Sequence, residues 1–175
     1  YQQIQKAQIV LLVVDPSGWM RYSSPAESAG PALNAVRANL GNQVELLGYD
    51  VAAPQVASGE RLDLTLYWRA LAPVQTNYQT FLHVARPLNV IWGQEDHLNP
   101  GDYPTTRWPL DRYTWDEYSV QVLPGTPPGT YQLNAGMYLM ETGERLPRIG
   151  ASGDVVGDGV VLMALQVERP QRPPE

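Results

Sequence analysis

From Arg61 to Arg69 apolar and polar residues alternate strictly, with Leu62, Leu64, Leu66 and Trp68 on one side and Arg61, Asp63, Thr65, Tyr67 and Arg69 on the other. A period of two is that of a half-buried β-strand. A helix would scatter the same leucines around its circumference. The pattern returns in Tyr131, Leu133, Ala135, Met137 and Leu139, with Gln132, Asn134 and Tyr138 opposite, and again in Tyr118, Val120 and Val122. Val161, Met163, Leu165 and Val167 predict a last strand with a second face that is also largely apolar, as near the centre of a sheet. Val44 to Val51, Tyr78 to Ala85 and Val90 to Glu95 complete the predicted set. Gln8 to Val14 reads as an earlier buried strand, and Asp15 to Pro31, rich in Pro, Ser, Gly and Ala without a period, as a long loop or linker.

Between the strands lie Ala53-Pro54 through Ser58-Gly59, Pro124-Gly125 through Pro128-Gly129, and Thr142-Gly143, each with the fixed φ of proline or the positive φ open to glycine. The sixteen prolines fall almost wholly in such segments, where no sheet donor is lost. Thr130-Tyr131 after Pro127-Pro128-Gly129 resembles the strand entry of immunoglobulin-like and fibronectin-like sandwiches, in which a tyrosine anchors the corner. No sustained amphipathic helix follows residue 40, so an α/β fold is hard to build. The fold expected is all-β, a two-sheet antiparallel β-sandwich of immunoglobulin/fibronectin-like or carbohydrate-binding-module-like type over residues 32–168. Residues 1–31 would be an extension or linker with one strand docked on the sandwich, and residues 169–175 a Pro-rich disordered tail.

Charge and composition remove several functions. A net charge of -6 and a pI near 4.9 would repel nucleic acid phosphates and anionic membrane surfaces. Without cysteine there are no disulfides, thiolate metal sites or cysteine nucleophiles. Lys6 is the only lysine, which leaves no Schiff-base candidate in the body of the domain. The longest uncharged apolar run, Ile9 to Val14, is far below the roughly 20 residues needed to cross a bilayer. A start at Tyr1 without a signal region reads as an excised or processed piece of a larger protein.

Chemistry concentrates between Gly93 and Trp108. There Glu95, Asp96, His97 and Asp102 offer oxygen and nitrogen ligands for a divalent cation. Adjacent Glu95 and Asp96 would face opposite sides of an extended chain, however, so one ion could not readily take both; the competing reading is a long loop whose Asn, Asp and Pro satisfy backbone turns. Asp111, Asp116 and Glu117 could form an acid/base pair with Glu95 or Asp96 only through folding. His83 and His97 are the only histidines, and no nucleophile elbow, P-loop, zinc-protease or dinucleotide motif is present. Of the aromatic rings fifteen are Trp or Tyr and only Phe81 is Phe, so nearly every ring carries a polar handle. Trp92, Trp108, Tyr113 and Trp115 could make a stacking platform for a sugar, or plug the ends of the sandwich. The candidate ligand-binding residues are therefore Trp92, Asp96, His97, Trp108, Tyr113 and Trp115, with no catalytic residue, metal or cofactor expected.

The order of motifs carries a resemblance. Gly48-Tyr49, Leu66-Tyr67-Trp68, Phe81-Leu82-His83-Val84, Gln94 with Asp96, Pro100-Gly101, Tyr103-Pro104-Thr105 and Trp108 come first. Leu123-Pro124, Pro128-Gly129-Thr130-Tyr131, Gly136-Met137-Tyr138, Thr142-Gly143, Arg145-Leu146-Pro147 and Gly157-Asp158 follow. Across about Leu33 to Val167 this resembles an uncharacterised β-sandwich domain at the C-terminal end of bacterial multi-pass membrane proteins similar to family 39 glycosyltransferases. The resemblance implies an extracytoplasmic module, tethered to the cell membrane through a parent protein that holds the transferase chemistry elsewhere. The expected function is that of a non-enzymatic accessory or binding domain with a glycan or membrane-enzyme partner and no nucleic acid. A carbohydrate-binding module using exposed Trp and Tyr, and an enzyme using carboxylates or a metal, are the alternatives.

Overall fold

Alternating strands bury one face each, and two such faces suffice for a core. The computed structural model describes residues 11–15, 18–22, 32–86 and 90–170, which form an all-β sandwich of thirteen strands. In chain order these are β1 (Leu11–Asp15), β2 (Gly18–Tyr22), β3 (Asn34–Leu40), β4 (Val44–Val51), β5 (Gln55–Ala57), β6 (Arg61–Ala70) and β7 (Gln79–Arg86). Then come β8 (Val90–His97), β9 (Tyr113–Gln121), β10 (Gly129–Tyr138), β11 (Arg148–Ile149), β12 (Val155–Gly157) and β13 (Val160–Glu168). Two single turns of 3₁₀ helix, Pro100–Asp102 and Thr105–Arg107, lie between β8 and β9.

The larger sheet has the order β1-β2-β9-β6-β4-β3-β11-β12 and the smaller β5-β13-β10-β7-β8. All neighbours are antiparallel except β5 and β13, which run parallel with Gln55 beside Gln166. The alternation read from the sequence decides which residues meet inside: Leu62, Leu64, Leu66 and Trp68 from β6 pack across to Tyr131, Leu133, Ala135 and Met137 from β10. Trp68 and Leu133 are both fully buried.

Three expectations need correction. The segment Asp15 to Pro31 contains a strand: β2 pairs with β1, Leu11 opposite Tyr22, and Tyr22 also meets Thr114 of β9. Composition hid it, because one five-residue strand set among Pro, Ser and Gly has too short a period to register. β8 continues through Asp96 and His97, so these two side chains sit on a strand and not in a loop. In β13 a bulge between its partners Leu133 and Asn134 breaks the alternation, so Val160 turns inward while Val161 is exposed. The part of the early strand from Gln8 to Val10, and the tail beyond Pro170, lie outside the described residues.

The two sheets close on one another along one flank. There β8, at the edge of the smaller sheet, lies against β9 of the larger one. A Cβ on Gly93 would stand 2.6 Å from the carbonyl oxygen of Gln121, so only glycine permits that approach. The Leu123 amide donates to the Trp92 carbonyl at 2.8 Å, and the Ser119 amide donates to Glu95 Oε2 at 2.8 Å. A donor on β9 and one just beyond its end are thereby satisfied from across the gap.

Candidate functional site

β8 sends successive side chains to opposite faces, and its two acids therefore enter different surroundings. Glu95 and His97 turn inward toward β9, while Asp96 turns out onto the face of the smaller sheet, where Tyr138 donates its hydroxyl to Asp96 Oδ2 at 2.9 Å. One cation cannot take both acids. Among the described residues no group of three His, Asp or Glu side chains is arranged to hold a metal ion.

The inward cluster is a charge clasp. His97 Nδ1 donates to Asp116 Oδ1 at 2.9 Å and Oδ2 at 3.0 Å, and Nε2 donates to Glu95 Oε1 at 3.2 Å. The ring stacks on Tyr118 with centroids 4.2 Å apart and planes 6° from parallel. Thr80 and Tyr118 share a short hydroxyl–hydroxyl hydrogen bond, and Gly101 donates its amide to Asp116 Oδ1 at 3.1 Å. The bond to Asp116 lifts the His97 pKa from 6.5 to about 9 against the opposing effect of burial, with Glu95 adding to the rise. His97 is accordingly an imidazolium at neutral pH. Burial, with Asp116 beside it, raises the Tyr118 hydroxyl well above its ordinary range. Both ring nitrogens are engaged and Asp116 is buried, so the cluster binds β8 to β9 and leaves no nitrogen of His97 free for a ligand, although His97 and Glu95 each edge a surface hollow.

The four aromatic candidates do not share a platform. Trp108 is core, 5% exposed, with its indole N–H donating to the Tyr103 carbonyl at 3.3 Å. Trp92 is half-buried against the same core and meets Tyr131 edge-on at 6.4 Å and 81°. Tyr113 and Trp115 lie on the outer face of the larger sheet, 6.4 Å apart and inclined at 52°, with Tyr67 on the other side of Tyr113 at 6.0 Å. These rings mainly fill and cover the sandwich.

Polar side chains with unused bonding capacity converge elsewhere, on the outer face of the smaller sheet. Pairing places Asn134 of β10 between His83 of β7 and Val161 of β13, and Gln132 beside Ala85. These residues floor a pocket of about 300 Å³. Ile91 of β8 bounds one side of it, Arg145 and the turn Gly157-Asp158-Gly159 the other. Gly136 lets the Phe81 ring settle directly on β10: a Cβ there would stand 2.5 Å from Phe81 Cζ, whereas the Asp158 carbonyl oxygen, at 3.5 Å, would be in ordinary contact. The Arg145 guanidinium lies 4.3 Å above the Phe81 ring centroid, and Arg145 Nη1 is 3.5 Å from Asp158 Oδ2.

His83 packs on Phe81 at 4.7 Å, and its Nε2 is 3.8 Å from Asp96 Oδ1, too far for a hydrogen bond. Burial pushes its pKa below 6.5; Asp96 opposes that shift and Arg145 adds to it, so the ring is neutral at pH 7. The side chains of His83, Gln132 and Asn134 make no hydrogen bond within the described residues; Gln132 is exposed, Asn134 and His83 are half-buried, and the polar atoms of all three remain open to solvent or to a ligand.

A larger hollow of about 600 Å³, on the outside of β4, β6 and β9, makes the contrast. Its four acids are already engaged: Asp50 accepts the Tyr67 hydroxyl at 2.8 Å, Asp63 the Ser119 hydroxyl at 2.6 Å, Glu95 belongs to the clasp, and Glu117 is held as well. The smaller pocket is thus the better site. None of the six sequence candidates lines it; Asp96 lies behind His83 at 3.8 Å, and Asp96 and His97 instead edge a separate, shallow hollow of about 390 Å³ with Leu98, Asn99 and Asp102. Gln132, Asn134, Arg145 and Asp158 escaped notice because they come from separate segments that only strand register unites. The outward polar parity of Gln132 and Asn134 was the available signal. No protein-family model matches the chain and no curated protein matches it, so a function must be argued from this geometry.

Proposed function

We propose that the chain is a non-enzymatic binding module whose ligand site is the pocket over His83 and Asn134. The observation that carries this is the meeting of three polar side chains that make no hydrogen bond within the described residues, His83, Gln132 and Asn134, with the Arg145–Asp158 pair in one concavity. Small-ligand sites combine apolar walls with a few placed polar groups in this way. A catalytic reading has less support. The histidine with close carboxylates, His97, is saturated on both nitrogens, and the one acid lining the pocket is turned to Arg145. The resemblance to domains of glycosyltransferase-like membrane proteins supports an accessory role outside the cytoplasm, holding a glycan or partner near a membrane-bound enzyme.

The test is a ¹H–¹⁵N correlation spectrum of the labelled chain titrated with a library of small polar fragments. Binders should shift the amides of residues 83, 132, 134 and 157–159 and remain chemically unchanged. Fragments that map only elsewhere, or turnover abolished by His83→Ala, would refute the proposal.

A further inference from the structure

We infer that the pocket takes a single uncharged, polyhydroxylated ring, such as the terminal unit of a neutral glycan; this rests on the binding reading above. Size comes first. About 300 Å³ is at the lower end of ligand pockets, which run from roughly 300 to 1,000 Å³, so one ring fits and a chain of rings does not. Bonding character comes second. Neutral His83 has one donor and one acceptor, Asn134 and Gln132 each present both kinds in one amide, Arg145 only donates and Asp158 only accepts. A hydroxyl group is both donor and acceptor, so a ligand bearing several of them answers the whole lining at once.

Charge narrows the class further. Arg145 and Asp158 cancel within the pocket, and His83 adds nothing at neutral pH. An acidic ligand would meet Asp158, with Asp96 behind His83 and a chain of net charge -6 around them. An amine would meet Arg145. A neutral ligand avoids both penalties. Ala85, Ile91 and Val161 supply apolar patches for the C–H faces of a ring. Phe81 is 2% exposed beneath Arg145 and cannot stack on a ligand, so recognition works through hydrogen bonds and depends on the configuration of the hydroxyls.

The deciding experiment titrates the full chain with methyl glycosides of neutral hexoses and, in parallel, with glucuronate and glucosamine, following amide shifts. At least one neutral glycoside should bind at residues 83, 132 and 134, with both charged analogues at least tenfold weaker. Asn134→Ala should weaken it at least tenfold without moving the urea midpoint, because that amide bonds to nothing in the protein; Asp158→Ala, on an exposed turn, serves as an independent second variant. If glucuronate or glucosamine binds the pocket as tightly or more tightly, or polar fragments bind it and neutral glycosides do not, the inference is overturned while the binding module stands. Sugar shifts confined to Tyr113 and Trp115, or no shift at the pocket with any sugar or fragment, would overturn both.

Discussion

Replacing His97 with alanine removes the counter-charge of Asp116 and leaves that carboxylate buried against Tyr118 and Gly101. Breaking a buried pair from one side costs about 3–5 kcal/mol, and the partial exposure of the His97 and Glu95 side chains lowers the expectation here to about 2–3 kcal/mol in urea unfolding. The clasp also fixes a pH dependence. Because the folded pKa of His97 is about 9 and the unfolded value 6.5, its contribution is complete below pH 6.5 and fades as pH rises to 9. The urea midpoint of the native chain should therefore fall across that window, and that of His97→Gln should fall much less. Tyr131 is a residue whose role was legible in advance. Its hydroxyl donates to the Pro127 carbonyl at 2.7 Å, the corner that the Pro-Pro-Gly-Thr-Tyr order suggested, and Tyr131→Phe should cost about 1 kcal/mol in the same assay. His97 was singled out for its chemistry, yet its partner Asp116 lies nineteen residues away on another strand, a distance that no local pattern spans.

Strands with a long unbroken period were readable, and short or bulged ones were not: β3, seven residues long, went unread because its register breaks between Ala35 and Ala38. β6 and β10 alternate over ten residues each and were found, whereas β5, β11 and β12, of three, two and three residues, carry no period to detect. Their positions follow from what they pair with, as β5 follows from β13. The bulge in β13 was invisible for a related reason: a single extra residue shows only against its partner strand. The approach of β8 to β9 belongs to this scale too. Gly93→Ala should push the two strands apart, costing about 1–3 kcal/mol, and should speed hydrogen exchange at the Leu123 and Ser119 amides, which lose their cross-flank acceptors.

For the molecule as a whole, alternation foretold two facing sheets with an apolar interior but not their strand order. That order is a matter of long-range pairing, as where Gln55 lies beside Gln166. The candidate pocket was hidden for the same reason, since its lining is assembled across four strands, a loop and a turn. The turn over that pocket, residues 157–159, also carries the chain from β12, at the rim of the larger sheet, into β13 of the smaller. The larger sheet thus ends in strands of two and three residues, and the chain's crossing from them into the smaller sheet is a seam beside which the pocket opens. A guest bonded both to Asp158 and to the β7–β10 floor would act as one more stitch. At a hundredfold excess over Kd it should add about 2.7 kcal/mol to stability, and the slowing of hydrogen exchange should concentrate at Val155 to Gly157. Uniform slowing along all thirteen strands would mean that the seam plays no part in admitting the guest.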